Sequence, residues 1–133
     1  MPSLVVDTHA AIWYLLQSSK LSASAFSALD EASQAGDSIY LAAISLVEVI
    51  YLAEKGKISQ AAVERLLSGV ADPTSSWVLA PLDFGVAQAV GRVSRDAIPD
   101  MPDRIIAATA LHLNLPLVTR DAKIRASGLP TIW

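Results

Sequence analysis

The 133-residue sequence contains no cysteine. Disulfide scaffolds, thiol catalysis and cysteine-based zinc sites are therefore excluded together. Charge is scarce as well, with Asp, Glu, Lys and Arg at 17% of residues against about 25% in an average soluble domain. The six glycines form neither G-x-G-x-x-G nor a Walker loop, so nothing marks a dinucleotide or nucleoside-triphosphate site. No apolar run reaches the ~20 residues that a membrane span requires. The longest, residues 39–53, is interrupted by Ser45 and Glu48. Residues 1–16 are apolar but have no basic start, carry Asp7 and His9 inside the run and lack a clear small-residue cleavage site, unlike a signal peptide. A soluble, cytoplasmic protein with no membrane partner is expected. A basic excess is also missing. Ten Lys and Arg face thirteen Asp and Glu, and a net charge of −3 at first sight disfavours a nucleic-acid partner.

What the sequence does have is apolar side chain, at 53% of residues with a mean hydropathy of +0.43. That excludes disorder and, at this length, predicts one domain over residues 1–133 with a core buried on two faces. No linker, repeat or low-complexity tract divides it. Short apolar runs at 4–6, 39–41, 77–79, 117–119 and 131–133 read as strands. Between them, residues 10–16, 22–35, 45–55, 60–67, 84–94 and 104–113 read as helices, with Gly36 and Gly56 as stops. The alternation predicts an α/β fold with a mainly parallel sheet of about five short strands, flanked by helices on both faces.

In such a sheet the strand C-termini share one rim with the N-termini of the following helices, and ligands bind outside that rim. Asp7 follows the first strand. Glu48 is expected in the first turn of the helix after the second strand. Asp103 opens the helix near Pro102, and Asp121 lies two residues beyond Thr119. All four are predicted on one rim although 41, 55 and 18 residues separate them in sequence.

Each acid also has a purely structural reading. Asp7 suits a helix N-cap, Ser45 and Glu48 form the S-x-x-E capping pattern, Asp103 complements a helix dipole, and Asp121 suits a turn. Capping and a site role are compatible, because a first-turn carboxylate can face the crevice. Two facts favour the site. Glu48 interrupts an apolar helix where an unpaired charge is expensive to bury. Clustered carboxylates also repel unless a cation or protons offset them. Hard divalent ions take oxygen ligands, so an acidic pocket is the pattern of metal-assisted phosphodiester chemistry.

Other candidates are weaker. Glu54 lies ~9 Å along the helix from Glu48 and roughly 240° round it. Asp83 reads as an N-cap beside an edge strand, and Asp100 as a helix-start residue or a hydrogen-bond acceptor for the site. His112 is ~13 Å along the helix from Asp103 and is no co-ligand. His9 is expected to serve a structural role beside the sheet, and Trp13, Trp77 and Trp133 to pack in the core or a subunit interface.

At these residues the sequence resembles the PIN-domain ribonucleases, specifically the VapC toxins of toxin–antitoxin pairs. The matching segments are V-V-D-T-H-A-A-I-W at 5–13, I-S-L-V-E-V at 44–49, P-D-R-I-I-A-A-T-A at 102–110 and L-V-T-R-D-A-K-I at 117–124. They occur in the family's order and span most of the chain. One departure is Asp100-Met-Pro-Asp103, where many relatives read D-P-F-D. The resemblance puts the family's acidic quartet on Asp7, Glu48, Asp103 and Asp121. It implies an endoribonuclease using Mg²⁺ or Mn²⁺, with Asp7 and Asp103 on the ion and Glu48 and Asp121 completing the cage or binding a second one. Ser45 and Thr119 have hydroxyls placed to support these ligands, and Arg104 is placed to steady a carboxylate or meet a phosphate. A homodimer, an RNA substrate and a cognate antitoxin that reaches the pocket are further implications.

Two other classes compete. One is an inactive PIN-like interaction module whose acids are only caps. The other is an aspartyl-phosphate domain built on Asp7, against which His9 stands where a second acid is usual and Lys123 lies in a turn. The net charge is consistent with the nuclease. Without the four acids of the site, nine remain against ten basic residues. Five of the six arginines, Arg92, Arg95, Arg104, Arg120 and Arg125, fall in the last third of the chain.

Overall fold

A computed structural model describes residues 3–133. Five strands, β1 (Leu4–Val6), β2 (Ile39–Ala42), β3 (Trp77–Ala80), β4 (Leu117–Val118) and β5 (Thr131–Ile132), form one sheet in the order β3-β2-β1-β4-β5. Every pairing is parallel. The helices are α1 (Thr8–Leu15), α2 (Ala23–Ala35), α3 (Ala43–Glu54), α4 (Gln60–Ala71), α5 (Phe84–Val90), α6 (Met101–Leu113) and the short α7 (Ala122–Arg125). This is the parallel α/β architecture that the alternation of short strands and helices predicts.

The side-chain period of two in a strand explains the high apolar content. Leu4, Val6, Ile39, Leu41 and Val118 point into one core with Ala11, Leu29, Val49 and Leu66. Val5, Ala42 and Leu117 point the other way, into a second core with Val86, Ala89, Ile106 and Ile124. Both faces of the sheet are thus covered, and the inner strands need no polar side. Among the described residues no helix is long and apolar enough to cross a membrane.

Local chemistry sets most helix boundaries. Asp7, Ser22, Ser59, Asp83, Asp100 and Asp121 are N-caps whose side chains accept from a backbone N–H. Such a cap contributes about 1 kcal/mol. Gly36 closes α2 at φ +77°, a left-handed conformation that costs a residue with a Cβ. Pro102 sits in the first turn of α6, where its missing N–H costs nothing, so the helix accommodates the departure from D-P-F-D.

Several expectations about elements change: α1 begins at Thr8, α4 runs on to Ala71 and α6 begins at Met101, and three further differences have a local cause or scale. Helix α3 begins at Ala43, two residues early, because Ala42 enters it without any side-chain cap. Helix α5 ends at Val90, four residues short, where Gly91 follows and Arg104 takes two carbonyls. Helix α7 is additional. At four residues it is too short for periodicity to register.

Candidate active site

The sheet order reverses between β1 and β4, since β2 and β3 extend to one side of β1 and β4 and β5 to the other. The carboxyl ends of strands at such a switch point open a crevice. Asp7 stands there directly after β1, its N–H donating to the Val118 carbonyl of β4 at 3.0 Å. Thr119 and Asp121 follow β4. Helix α3 brings Glu48 to the same rim, and α6 brings Asp103. A cavity of about 390 Å³ opens there, lined by Asp7, His9, Trp13, Glu48, Asp100, Asp103, Arg120 and Asp121. All four acids singled out in the sequence line it, together with a fifth, Asp100.

Three of these acids serve as caps as well. Asp7 Oδ1 accepts from Ala10 N–H at 2.9 Å, Asp121 Oδ1 from Ile124 N–H at 3.0 Å, and Asp100 Oδ2 from Asp103 N–H at 3.2 Å. Capping fixes the backbone of each carboxylate while leaving its second oxygen for the cavity. Asp83 caps α5 beside the edge strand β3 and does not line the cavity. His112 lies outside it too.

Glu48 is held differently. It lies in the second turn of α3 and is not part of a capping box, because Ser45 is inside the helix and fully buried. Thr8 Oγ1 stands 2.7 Å from Glu48 Oε1 and 3.0 Å from Ser45 Oγ. One hydroxyl proton cannot serve both partners, and a carboxylate oxygen accepts. Thr8 therefore donates to Glu48, and the Ser45 hydroxyl is left to donate to Thr8. Thr119 is fully buried, its hydroxyl accepting from Asp121 N–H at 3.0 Å and bonding the Asp7 side chain.

Electrostatics match this crowding. Burial pushes the Asp7 carboxyl above its usual range, against the hydrogen bonds from Thr119 and Ala10. Asp103 is pushed up to about 7, first by burial and then by Asp100, Asp121, Glu48 and Asp7. The five carboxylates offer hard oxygen donors, which suit Mg²⁺ or Mn²⁺ better than a soft ion. Among the described residues no three His, Asp or Glu side chains close into a ready protein cage. An ion held here would complete its shell with water and substrate oxygens, as Mg²⁺ commonly does.

Two expectations are corrected. Arg104 neither steadies a carboxylate nor faces the cavity. Its Nη2 donates to the carbonyls of Val90 and Val93 at 2.9 and 2.8 Å, tying α6 to the end of α5. Successive helix residues point ~100° apart, so Arg104 turns away where Asp103 faces in. His9 is exposed on the cavity wall instead of packed beside the sheet. Its ring lies 5.7 Å from that of Trp13, one helical turn on. Trp13 packs against the first core, as expected, and also lines the cavity. Thr8 and Arg120 join the site beyond the residues that the sequence marks. Their signal was adjacency, one residue after Asp7 and one before Asp121.

A family model described as the PIN domain matches residues 4–128. Ribonuclease VapC22 of Mycobacterium tuberculosis is 31% identical over 145 residues, covering 100% of both chains. A structure of VapBC2 from Rickettsia felis bound to a promoter DNA fragment superposes with a TM-score of 0.72 at 17% identity, over 97% of this chain and 96% of that one. A toxin–antitoxin complex from Klebsiella pneumoniae gives 0.70 at 21% identity, over 98% and 96%. At those identities the two structures speak to the fold.

Proposed function

The chain belongs to the PIN-domain family, and from that premise we propose that it is a VapC-type endoribonuclease toxin that hydrolyses RNA with Mg²⁺ or Mn²⁺. The observation that carries this reading is the gathering of Asp7, Glu48, Asp103 and Asp121 around one cavity at the switch point of the sheet. Asp7 and Asp103 would hold the ion, and Glu48 and Asp121 would complete its protein donors or take a second one. When bound, such an ion acidifies water and offsets the charge that builds on a phosphate during hydrolysis. The chain's own residues prepare the site. Thr8 orients Glu48, Thr119 bonds Asp7 and the loop carrying Asp121, and Asp103 holds a proton near neutral pH until a cation replaces it. No side-chain nucleophile is needed.

The VapBC and toxin–antitoxin names of the structural relatives support a cognate antitoxin as partner. A homodimer is supported by Val47, Ile50 and Tyr51, which leave an apolar stretch of α3 at 60%, 41% and 59% exposure. An RNA substrate fits a cytoplasmic location.

The test is cleavage of RNA by the protein purified free of any partner. Cleavage should require Mg²⁺ or Mn²⁺, stop with EDTA and return when the ion is restored. Undiminished cleavage in EDTA would remove the metal from the account, and no cleavage of any RNA would favour an interaction module.

A further inference from the structure

The wall of the acidic cavity contains one pair that metal binding does not use. Arg120 is the only Lys or Arg among the residues lining it, in the company of five carboxylates. Its guanidinium carbon nevertheless sits 4.5 Å from the centroid of the Trp13 ring, and among the described residues no ion pair holds it. The indole is fixed in turn, with the rings of His9 at 5.7 Å and Trp133 at 6.0 Å, both tilted. The backbone under Arg120 is equally constrained. Thr119 N–H donates to the Ile132 carbonyl at 3.2 Å, and Asp121 N–H to Thr119 Oγ1 at 3.0 Å.

A pocket of carboxylates repels a polyanion, so a nucleic acid entering it needs a fixed cation at the mouth. An Arg held on an aromatic ring loses little rotamer freedom on binding and keeps its outward N–H groups for a bidentate phosphate contact. The half-buried indole beside it also lines the cavity and offers aromatic surface to an unstacked base, the feature by which proteins hold single-stranded RNA. We propose that Trp13 and Arg120 form a substrate subsite at the cavity mouth, where Arg120 takes a backbone phosphate of single-stranded RNA and the neighbouring base stacks against Trp13. The proposal rests on reading the cavity as an RNA-cleaving site and assigns the residues that position the strand.

The test is the affinity of a fluorescein-labelled single-stranded RNA for the full chain, measured by anisotropy in Mg²⁺. Asp103→Asn serves as the parent so that the RNA stays intact. Adding Arg120→Ala should weaken binding about tenfold or more, and Arg120→Lys should recover only part of that. Lys123→Ala, outside the cavity, should leave binding close to the parent's. With Asp103 restored, Arg120→Ala should raise KM more than it lowers kcat. Loss of the stacked base in an abasic scan of the RNA should slow the unmutated protein but not Trp13→Leu, which keeps an apolar side chain for the core. Melting curves establish that each variant is folded. Equal RNA affinity of the folded Arg120→Ala protein and its parent overturns the proposal, and an unchanged abasic profile in Trp13→Leu overturns the stacking half. If the unmutated chain cleaves no RNA, the proposed function fails, and the affinity comparison alone decides the subsite.

Discussion

Thr8 Oγ1 lies 2.7 Å from Glu48 Oε1, a contact between the first residue of α1 and the second turn of α3 across 40 positions of sequence. It joins two helices that follow different strands and sets one oxygen of a carboxylate on the cavity wall. The same hydroxyl satisfies the fully buried Ser45.

Replacing Thr8 by Val keeps the shape and removes the hydroxyl. The Ser45 hydroxyl is then buried without that partner, which costs about 1–3 kcal/mol. Freed of its donor, Glu48 loses its fixed rotamer, and cleavage should fall about ten- to a hundredfold, as for partners that orient metal ligands. Thr8→Ser should restore both. Thermal melting and cleavage rates check this; a Thr8→Val protein as active as the unmutated one would contradict it.

The raised pKa of Asp103 makes stability depend on pH. Between 3.8 and about 7 the folded state keeps a proton that the unfolded state has released. Stability contributed by this group is therefore full below 3.8, falls as pH rises through that window and is lost above about 7. Asp103→Asn carries no such penalty. Its Tm advantage over the unmutated protein should be smallest at the acid end and grow towards pH 7. Above that the difference in stability should level at roughly 1 kcal/mol, once solvent screening of the exposed part is allowed for. Mg²⁺ should narrow the gap by stabilising the unmutated protein. Melting curves across pH, with and without the ion, measure both effects; a pH-independent difference would contradict the account.

Arg104→Met tests the structural role of that side chain. Hydrogen bonds from a charged group contribute about 1.5–3 kcal/mol, so loss of the two to Val90 and Val93 should lower Tm by about 5 °C or more. Well below Tm, KM for RNA should stay within about twofold. A large rise in KM with no loss of stability would return Arg104 to phosphate binding.

The sequence made the strands and three of the four acids easy to locate, for a local reason. Apolar β-branched runs such as 4–6 and 117–118 mark the strands, and Asp7 and Asp121 follow them within three residues. Asp103 stands beside a proline that can only open a helix. What stayed hidden depends on side-chain direction or on distant neighbours. S-x-x-E at 45–48 imitates a capping box, yet the chain enters α3 earlier, at Ala43, and Ser45 turns to Thr8. A threonine after an aspartate is an ordinary helix start, and only the approach of α3 makes Thr8 a donor to Glu48. Trp13 is wide enough to serve the core on one side and the cavity on the other, so its apolar character indicates only the first. Arg104 and Arg120 each neighbour a site acid in sequence; one turns to a helix end and the other to an indole.

The most direct measurement is RNA cleavage by Asp7→Asn and Asp103→Asn beside the unmutated protein, with Mn²⁺ binding titrated on the same samples. Asn preserves the cap at position 7 and the shape of both side chains, so folding should survive. The folded variants should bind Mn²⁺ at least about tenfold more weakly and cleave at least about a hundredfold more slowly. A folded Asp103→Asn protein that cleaves RNA at the unmutated rate in Mg²⁺ would contradict this.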